Sequence, residues 1–452
     1  MMPSLTPEED AAQFAEWIHT ELAASPLHEQ GFGLLMARAE RVVLDIRKRL
    51  LARDERSTWK RLMKKGRLTK ELNETLPAIA RVVAWVEGPE GAAAIAAAQA
   101  QNGGEGKLTI IDLCSGVGYM SILLAELLAQ SASARVRRIV LVDHAFPQWG
   151  ALPKPTNINP GHLYLDSMWP IELTHRRYNL KKTSGLRQMN DHVIARAEGA
   201  VLVLAVHLCG TLALRAVQFF NDHPKVAFFC LKPCCLPPLI LAKQKYVWAF
   251  PNRDGVERRI VAKDVCASGS YNKGTWRGSA PKHHQKVKFG AWARGLFASI
   301  DVGAPSDGGA KDIEDRVLLS GLVRGDPRGG AKTGKGTTAS SAFSAGGSAE
   351  GGSAAAERAG ETDVRHFQTL FLFARRPYSS APGSIRGIGG NPYATEGDGS
   401  PSRAAMGLPK RPAPGAAGAS AGGTVSEGAS TAGAAPQKRA RAAESATPVH
   451  AV

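Results

Sequence analysis

The sequence predicts an α/β protein on a Rossmann-like, doubly wound sheet, with a helical N-terminal extension and a disordered C-terminal tail. Three observations carry this. Short apolar runs of strand length recur through the middle of the chain, separated by helix-length gaps, the alternation that yields a parallel sheet covered on both faces. The first hundred or so residues lack such runs and repeat apolar residues at helical spacing. From about residue 378 onward the chain is Gly, Ala, Ser and Pro with almost no large apolar side chains, so it cannot bury enough surface to offset the entropy of ordering. The 452 residues therefore divide into an extension (1–104), an α/β domain (105–377) and a tail (378–452).

The extension opens with Pro7-Glu8-Glu9-Asp10, a proline and acids where a helix start favours them, and continues with Phe14, Trp17, Ile18 and Leu22 on one face. A second helix is predicted over 33–51. The basic stretch Lys60-Arg61-Leu62-Met63-Lys64-Lys65-Gly66-Arg67 reads either as a solvated inter-helix face or as a phosphate-contacting patch, and an Ala-rich helix is predicted over 76–101, ended by Asn102-Gly103-Gly104. The period then changes. Five apolar runs, at 108–113, 138–143, 171–178, 201–206 and 226–231, read as buried parallel strands, with helices over 116–128 and 212–221 among the connections. A helix over 289–300 and strands over 316–323 and 366–374 complete seven candidate strands. The Gly/Ser/Ala-rich segment 325–360 reads as an insertion at a hairpin tip, because long surface insertions cost little entropy.

The net charge of +17 and the isoelectric point near 9.7 favour an acidic partner, nucleic acid first, against a basic surface with no specific ligand. No apolar leader and no stretch of about 18 apolar residues is present, so the reading excludes secretion and a membrane span and places the chain in cytoplasm or nucleus. The six cysteines are then expected as thiols. Lys410-Arg411 and Lys438-Arg439-Ala440-Arg441 are short clusters of the nuclear-targeting kind.

The chemistry concentrates where strands end. In Ile111-Asp112-Leu113-Cys114-Ser115-Gly116-Val117-Gly118-Tyr119-Met120-Ser121 a strand runs into a glycine turn and then a helix. The glycines let backbone pass close to a ligand. A dinucleotide site wants a third glycine where Ser121 stands. An S-adenosylmethionine (SAM) site wants an acid and then Gly-x-Gly, which Asp112, Gly116 and Gly118 supply. Asp143, 25 residues after Gly118, is placed to accept hydrogen bonds from ribose hydroxyls. The candidate cofactor-binding residues are Asp112, Cys114, Ser115, Gly116, Gly118, Tyr119, Asp143 and His144. The fourth strand ends in Val206-His207-Leu208-Cys209-Gly210 and the fifth in Lys232-Pro233-Cys234-Cys235-Leu236-Pro237. Ligands of doubly wound sheets sit at those ends, so His207, Cys209, Cys234 and Cys235 are the candidate catalytic residues, with His207 as base or as orienter of the acceptor. The cysteine spacing lacks paired Cys-x-x-Cys units, and no metal site is predicted. Tyr271 and Trp276, interleaved with Lys273, Arg277, Lys282, Lys286 and Lys288, suit an unpaired nucleic-acid strand.

Three blocks, Asp112-Leu113-Cys114-Ser115-Gly116-Val117-Gly118-Tyr119, His207-Leu208-Cys209-Gly210 and Lys232-Pro233-Cys234-Cys235, resemble eukaryotic class I SAM-dependent methyltransferases, including the tRNA 2′-O-methyltransferases of the acceptor stem. The resemblance spans roughly residues 105–375. It implies the seven-stranded class I sheet, SAM on Asp112, Gly116, Gly118 and Asp143, and a methyl-transfer pocket lined by His207, Cys209, Cys234 and Cys235. Unlike the tRNA enzymes, this chain follows its Cys pair with Leu236-Pro237 and has no cysteine in residues 1–100. RNA is the expected substrate. A protein substrate, and a SAM- or RNA-binding module without catalysis, are the alternatives.

Overall fold

The computed structural model of the protein describes residues 6–62, 67–148, 151–252, 256–267, 270–272, 275–277, 282–316, 318 and 370–383. The insertion at 325–360 and the tail clusters lie outside the described residues.

Helix α1 (Pro7–Ala23) starts in a capping box: Glu9 N–H donates to Thr6 Oγ1, and Thr6 N–H donates to the Glu9 carboxylate at 2.8 Å. Its Phe14, Ile18 and Leu22 are buried against α2 (Gly33–Ala52) and the following helices. A short α3 (Arg56–Leu62) leads to α4 (Arg67–Glu87) and α5 (Pro89–Asn102). The single helix expected over 76–101 is thus two. Gly88 is extended (φ −77°, ψ −178°) and Pro89 takes the first helical position, where its missing N–H costs nothing but where it cannot continue a preceding helix.

The α/β domain then alternates β1 (Leu108–Leu113), α6 (Tyr119–Ala129), β2 (Val136–Val142), β3 (Glu172–Arg176), α7 (Thr183–Met189), β4 (Val201–Leu208), α8 (Leu212–Asp222) and β5 (Val226–Pro233). Next come α9 (Leu239–Lys243), the hairpin β6 (Val247–Pro251) with β7 (Glu257–Val261), α10 (Ala262–Val265) and the ribbon β8 (Ser270–Asn272) with β9 (Thr275–Arg277). The chain closes with α11 (Lys282–Ser299), β10 (Ala310–Asp315) and β11 (Leu370–Arg375).

The main sheet has seven strands in the order β10-β11-β5-β4-β1-β2-β3. β1 to β5 are parallel, and β11 enters antiparallel between β5 and β10. This is a Rossmann-like α/β sheet. Alternation along the strands feeds two cores. Leu108, Ile110, Leu202 and Leu204 pack under α1 to α6, while Ile111, Leu113, Val201 and Val203 pack under α7, α8 and α11. The N-terminal helices are therefore one covering layer of the sheet, with Trp85 of α4 on Phe228 of β5 at 5.8 Å between ring centroids.

The strand expected over 316–323 falls almost wholly outside the described residues, which lack 317 and 319–323. The strand beside β11 is Ala310–Asp315, which the sequence pattern did not single out. The sequence Ala-Lys-Asp-Ile-Glu-Asp does not look like a buried strand because it is an edge, where charged side chains protect the unpaired rim. Its acids are used: Arg81 of α4 pairs with Asp312 and, at 2.8 Å, with Glu314. The hairpin expected around the insertion is present as the antiparallel β10–β11 pair. No described helix is long and apolar enough to cross a membrane.

Chain order reverses between β1 and β4, which are neighbours in the sheet. Connections leave this switch point in opposite directions and open a crevice at the carboxyl ends, where ligands of such sheets bind.

Candidate active site

The turn after β1 is a cradle made of backbone. Cys114 (φ +57°), Gly116 (φ +58°) and Gly118 (φ +88°) all adopt left-handed conformations. At Gly118 a Cβ would meet Leu141 Cδ2 at 2.3 Å; at Gly116 it would meet nothing within 4 Å, so open space lies in front of that residue. Gly118 caps α6 without a side chain, which leaves the helix N-terminus to a ligand. Ser115 Oγ is buried with no hydrogen-bond partner. Asp143, just past β2, is nearly buried and braces the cradle: Gly116 N–H donates to Oδ2 at 3.2 Å and Ala145 N–H to Oδ1 at 2.8 Å. His144, largely exposed, lies 3.3 Å from Oδ1. Left-handed glycines, an orphaned hydroxyl and a fixed carboxylate suit an adenosyl group and its ribose.

Asp112 sits deeper. Its carboxylate is 2 % exposed and accepts Ser121 Oγ–H at 2.7 Å. Burial raises its pKa to about 7, against the Ser121 hydrogen bond, and the nearby Asp143 and Glu71 charges add to the rise. Burial likewise pushes the Cys114 thiol up to about 12. Tyr119 faces the helical layer, where its hydroxyl donates to the Leu62 carbonyl. His162, a residue the sequence did not single out, holds the turn from below through Nε2 and the Val117 carbonyl, 2.8 Å apart. Burial keeps its pKa down at about 4, so it serves as a neutral donor.

Beyond β4 the site is made of side chains. His207 interrupts the β4–β5 register between Val206 and Leu208 and has φ +67°. A bulge re-aims a side chain, and an imidazole held in a left-handed conformation at a strand end is the kind of outlier that marks function. Its Nδ1 lies 3.2 Å from Glu74 Oε2 and its Nε2 lies 3.4 Å from Glu71 Oε2. The ammonium of Lys232, 2 % exposed, donates to Glu74 Oε2 at 3.2 Å and lies over the Phe371 ring. Burial alone would raise the Glu74 pKa, but Lys232, His207 and Lys70 together outweigh it and hold the carboxyl below its ordinary range.

Neither glutamate was foreseen. The available signal was Glu71-Leu72-Asn73-Glu74: two acids three apart share a helix face, and Leu72 and Asn73 between them are buried. Nothing local says that this face looks at β4.

The thiols converge as well. Leu208 pairs with Pro233, so the next residues, Cys209 and Cys234, leave the sheet side by side. Their sulfurs are 3.1 Å apart, and Cys235 Sγ is 3.6 Å from Cys234 and 3.7 Å from Cys209. Hydrogen bonds from Cys234 and Cys235 favour the thiolate on Cys209, and the same bond drives Cys234 the other way.

Residues 63–66 of the basic stretch lie outside the described residues, and α4 begins at Arg67, one turn before Glu71. Ala267 N–H donates to the Pro237 carbonyl at 2.9 Å, three residues before the β8–β9 ribbon begins. Of the sequence-predicted residues, the structure gathers Asp112, Cys114, Ser115, Gly116, Gly118 and Asp143 at the β1–β2 ends and His207, Cys209, Cys234 and Cys235 at the β4–β5 ends. Cavities of about 170 Å³ by Arg81 and Trp85 and about 340 Å³ by Arg49 and Trp169 lie elsewhere. The strand ends are the better candidate because the switch point, the orphaned hydroxyl and the displaced carboxyl pKa values all meet there.

No curated protein matches the chain. Residues 91–239, from α5 to the start of α9, match a family described as a methyltransferase domain. That match and the strand order agree, and both support a methyltransferase domain over this segment.

Proposed function

We propose that the protein is a SAM-dependent methyltransferase acting on RNA. The observation that carries the reading is the pair of sites at one sheet edge: a backbone cradle braced by Asp143 beside a histidine flanked by two glutamates.

Asp143 is the acceptor for ribose hydroxyls, Ser115 Oγ and the backbone around Gly116 and Gly118 line the adenosyl path, and Asp112 is the counter-charge for the methionyl ammonium. SAM supplies, when bound, an electrophilic methyl group on a sulfonium. The remaining work falls to the chain. The rigid edge orients the acceptor, which converts a bimolecular encounter into an intramolecular one. His207 receives the acceptor's proton when the acceptor is a hydroxyl. Glu74, tied to Lys232 on its other side, fixes the ring and balances the imidazolium. The excess of 17 positive charges supports a polyanionic substrate.

Labelled SAM incubated with the protein and either total RNA or a protein extract tests the reading. Label is expected in RNA, in a salt-sensitive manner. Label confined to protein would remove RNA as substrate while leaving methyl transfer intact.

A further inference from the structure

Cysteines occupy two kinds of place in this fold. Cys230 and Cys266 have no exposed surface and behave as small apolar groups. Cys209, Cys234 and Cys235 are different. Cys209 and Cys235 are exposed and Cys234 is half-buried, yet the three sulfurs point at one another. Packing does not explain three thiols gathered at the solvent side of an active edge.

We propose that Cys209, Cys234 and Cys235 form a zinc site with three thiolate ligands and an open fourth position. The geometry is that of such a site. Three sulfurs on a tetrahedral zinc at about 2.3 Å stand about 3.8 Å from one another. Here they stand 3.1, 3.6 and 3.7 Å apart, so the ion enters with sulfur shifts of well under an ångström. A disulfide is further away, since its S–S bond is about 2.05 Å. The ligands come from two rigid strand ends locked in register by the Leu208–Pro233 pair, and Pro233, Pro237 and Pro238 stiffen the loop. Among the described residues no further His, Cys, Asp or Glu joins the trio, and His207, two residues away, is turned to Glu71 and Glu74. The fourth position therefore faces solvent and takes water, the arrangement of zinc sites that act on a substrate. Zinc binds the three sulfurs as thiolates, so each thiol still protonated exchanges its S–H bond for a Zn–S bond and releases that proton to solvent. Soft sulfur ligands select zinc over magnesium or calcium.

The spacing rule that argued against a metal looks for Cys-x-x-Cys pairs. It misses this trio because Cys209 and Cys234 are neighbours across the sheet, 25 residues apart in the chain.

The test uses the full chain, stripped with chelator under anaerobic reducing conditions and titrated with Co²⁺. One equivalent is expected to give sulfur-to-cobalt charge-transfer absorption and the strong visible bands of tetrahedral cobalt, both abolished by one equivalent of Zn²⁺. Zinc should also shield three of the six thiols from alkylation. Cys209→Ser, Cys234→Ser and Cys235→Ser should each weaken zinc binding at least a hundredfold, whereas Cys266→Ser should bind as the unaltered chain does. Pale octahedral cobalt, absence of stoichiometric uptake, or equal binding by Cys209→Ser overturns the site. Should a serine variant fail to fold, the unaltered chain's spectrum and thiol shielding decide alone.

Discussion

The two halves of the carboxyl edge are built in opposite ways. On the β1–β2 side one continuous stretch, 112–118, bends its own backbone into a cradle, steadied by Asp143, 27 residues from Gly116, and by His162, 45 residues from Val117. On the β4–β5 side almost nothing is local. Glu74 meets Lys232 across 158 residues, and the thiols meet across 25 and 26. The first half holds a ligand with groups every chain possesses, made available by left-handed turns. The second half assembles side chains with particular protons to give or take. Holding can be written in a short motif, whereas reactivity here depends on a helix from outside the strand–helix alternation reaching over the sheet.

The comparison breaks most visibly at His207. If the β4–β5 half performs chemistry and the β1–β2 half only binds, His207→Asn should lower kcat by about 10²–10⁴-fold and leave the Kd for SAM within about threefold. Asn is the right replacement because it tolerates the left-handed backbone at φ +67°. Steady-state kinetics beside calorimetry separate the two; a matching loss of SAM affinity would merge the halves into one site.

The next effect is on stability. Lys232 is buried and Glu74 is its charged partner. Removing one member of a buried pair leaves an uncompensated charge and costs about 3–5 kcal/mol. Glu74→Ala should therefore lower the chemical denaturation midpoint sharply. Pairing Glu74→Leu with Lys232→Met should recover most of the loss, because apolar replacement of both partners is often neutral. If Glu74→Ala is as stable as the parent, the N-terminal layer is not anchored to the site through this contact.

These contrasts also explain what could be read from the chain. The sheet was legible because 108–113, 201–206 and 226–231 are apolar on both faces and admit few other fates. The cradle was legible because Asp112, Gly116 and Gly118 are contiguous and Asp143 follows at the next strand end. The edge strand β10 was not read from the sequence, since Lys311, Asp312 and Glu314 hide its period and its partners lie on α4 and β11. Glu71 and Glu74 looked like two more surface acids of a basic region. Only the packing of α4 over the sheet turns them toward His207, and that packing is not a property of any short window. The thiol trio was half legible: both strand ends were identified, but their adjacency was not converted into a distance.

On the binding half the effects are smaller. Asp143→Ala removes the acceptor of two backbone N–H groups and the proposed ribose contact. Hydrogen bonds to a charged group are worth about 1.5–3 kcal/mol, so SAM affinity should fall about 10–100-fold in calorimetry, with kcat at saturating SAM largely retained. A collapse of kcat at saturation would show that the cradle also shapes the reacting geometry.

The gentlest prediction concerns the proton on Asp112, and its sign differs for folding and for binding. The folded-state pKa of about 7 lies above the ordinary 3.8. Between those values the folded chain keeps a proton that the unfolded chain has released. On this group's account stability is fully present below about pH 4 and is lost as the pH climbs to about 7. Binding runs the other way. The groups facing Asp112 are the Ser121 hydroxyl, which favours the anion, and the Asp143 and Glu71 charges, which oppose it; the ammonium of SAM would favour the anion strongly. Affinity should therefore rise with pH below 7, by at most about tenfold per unit for one proton, and level off above it. Asp112→Asn has no such proton, so its affinity should be weaker and flat over the same interval. A sloped profile in Asp112→Asn would assign the titration to another group and leave Asp112 as a structural partner of α6 alone.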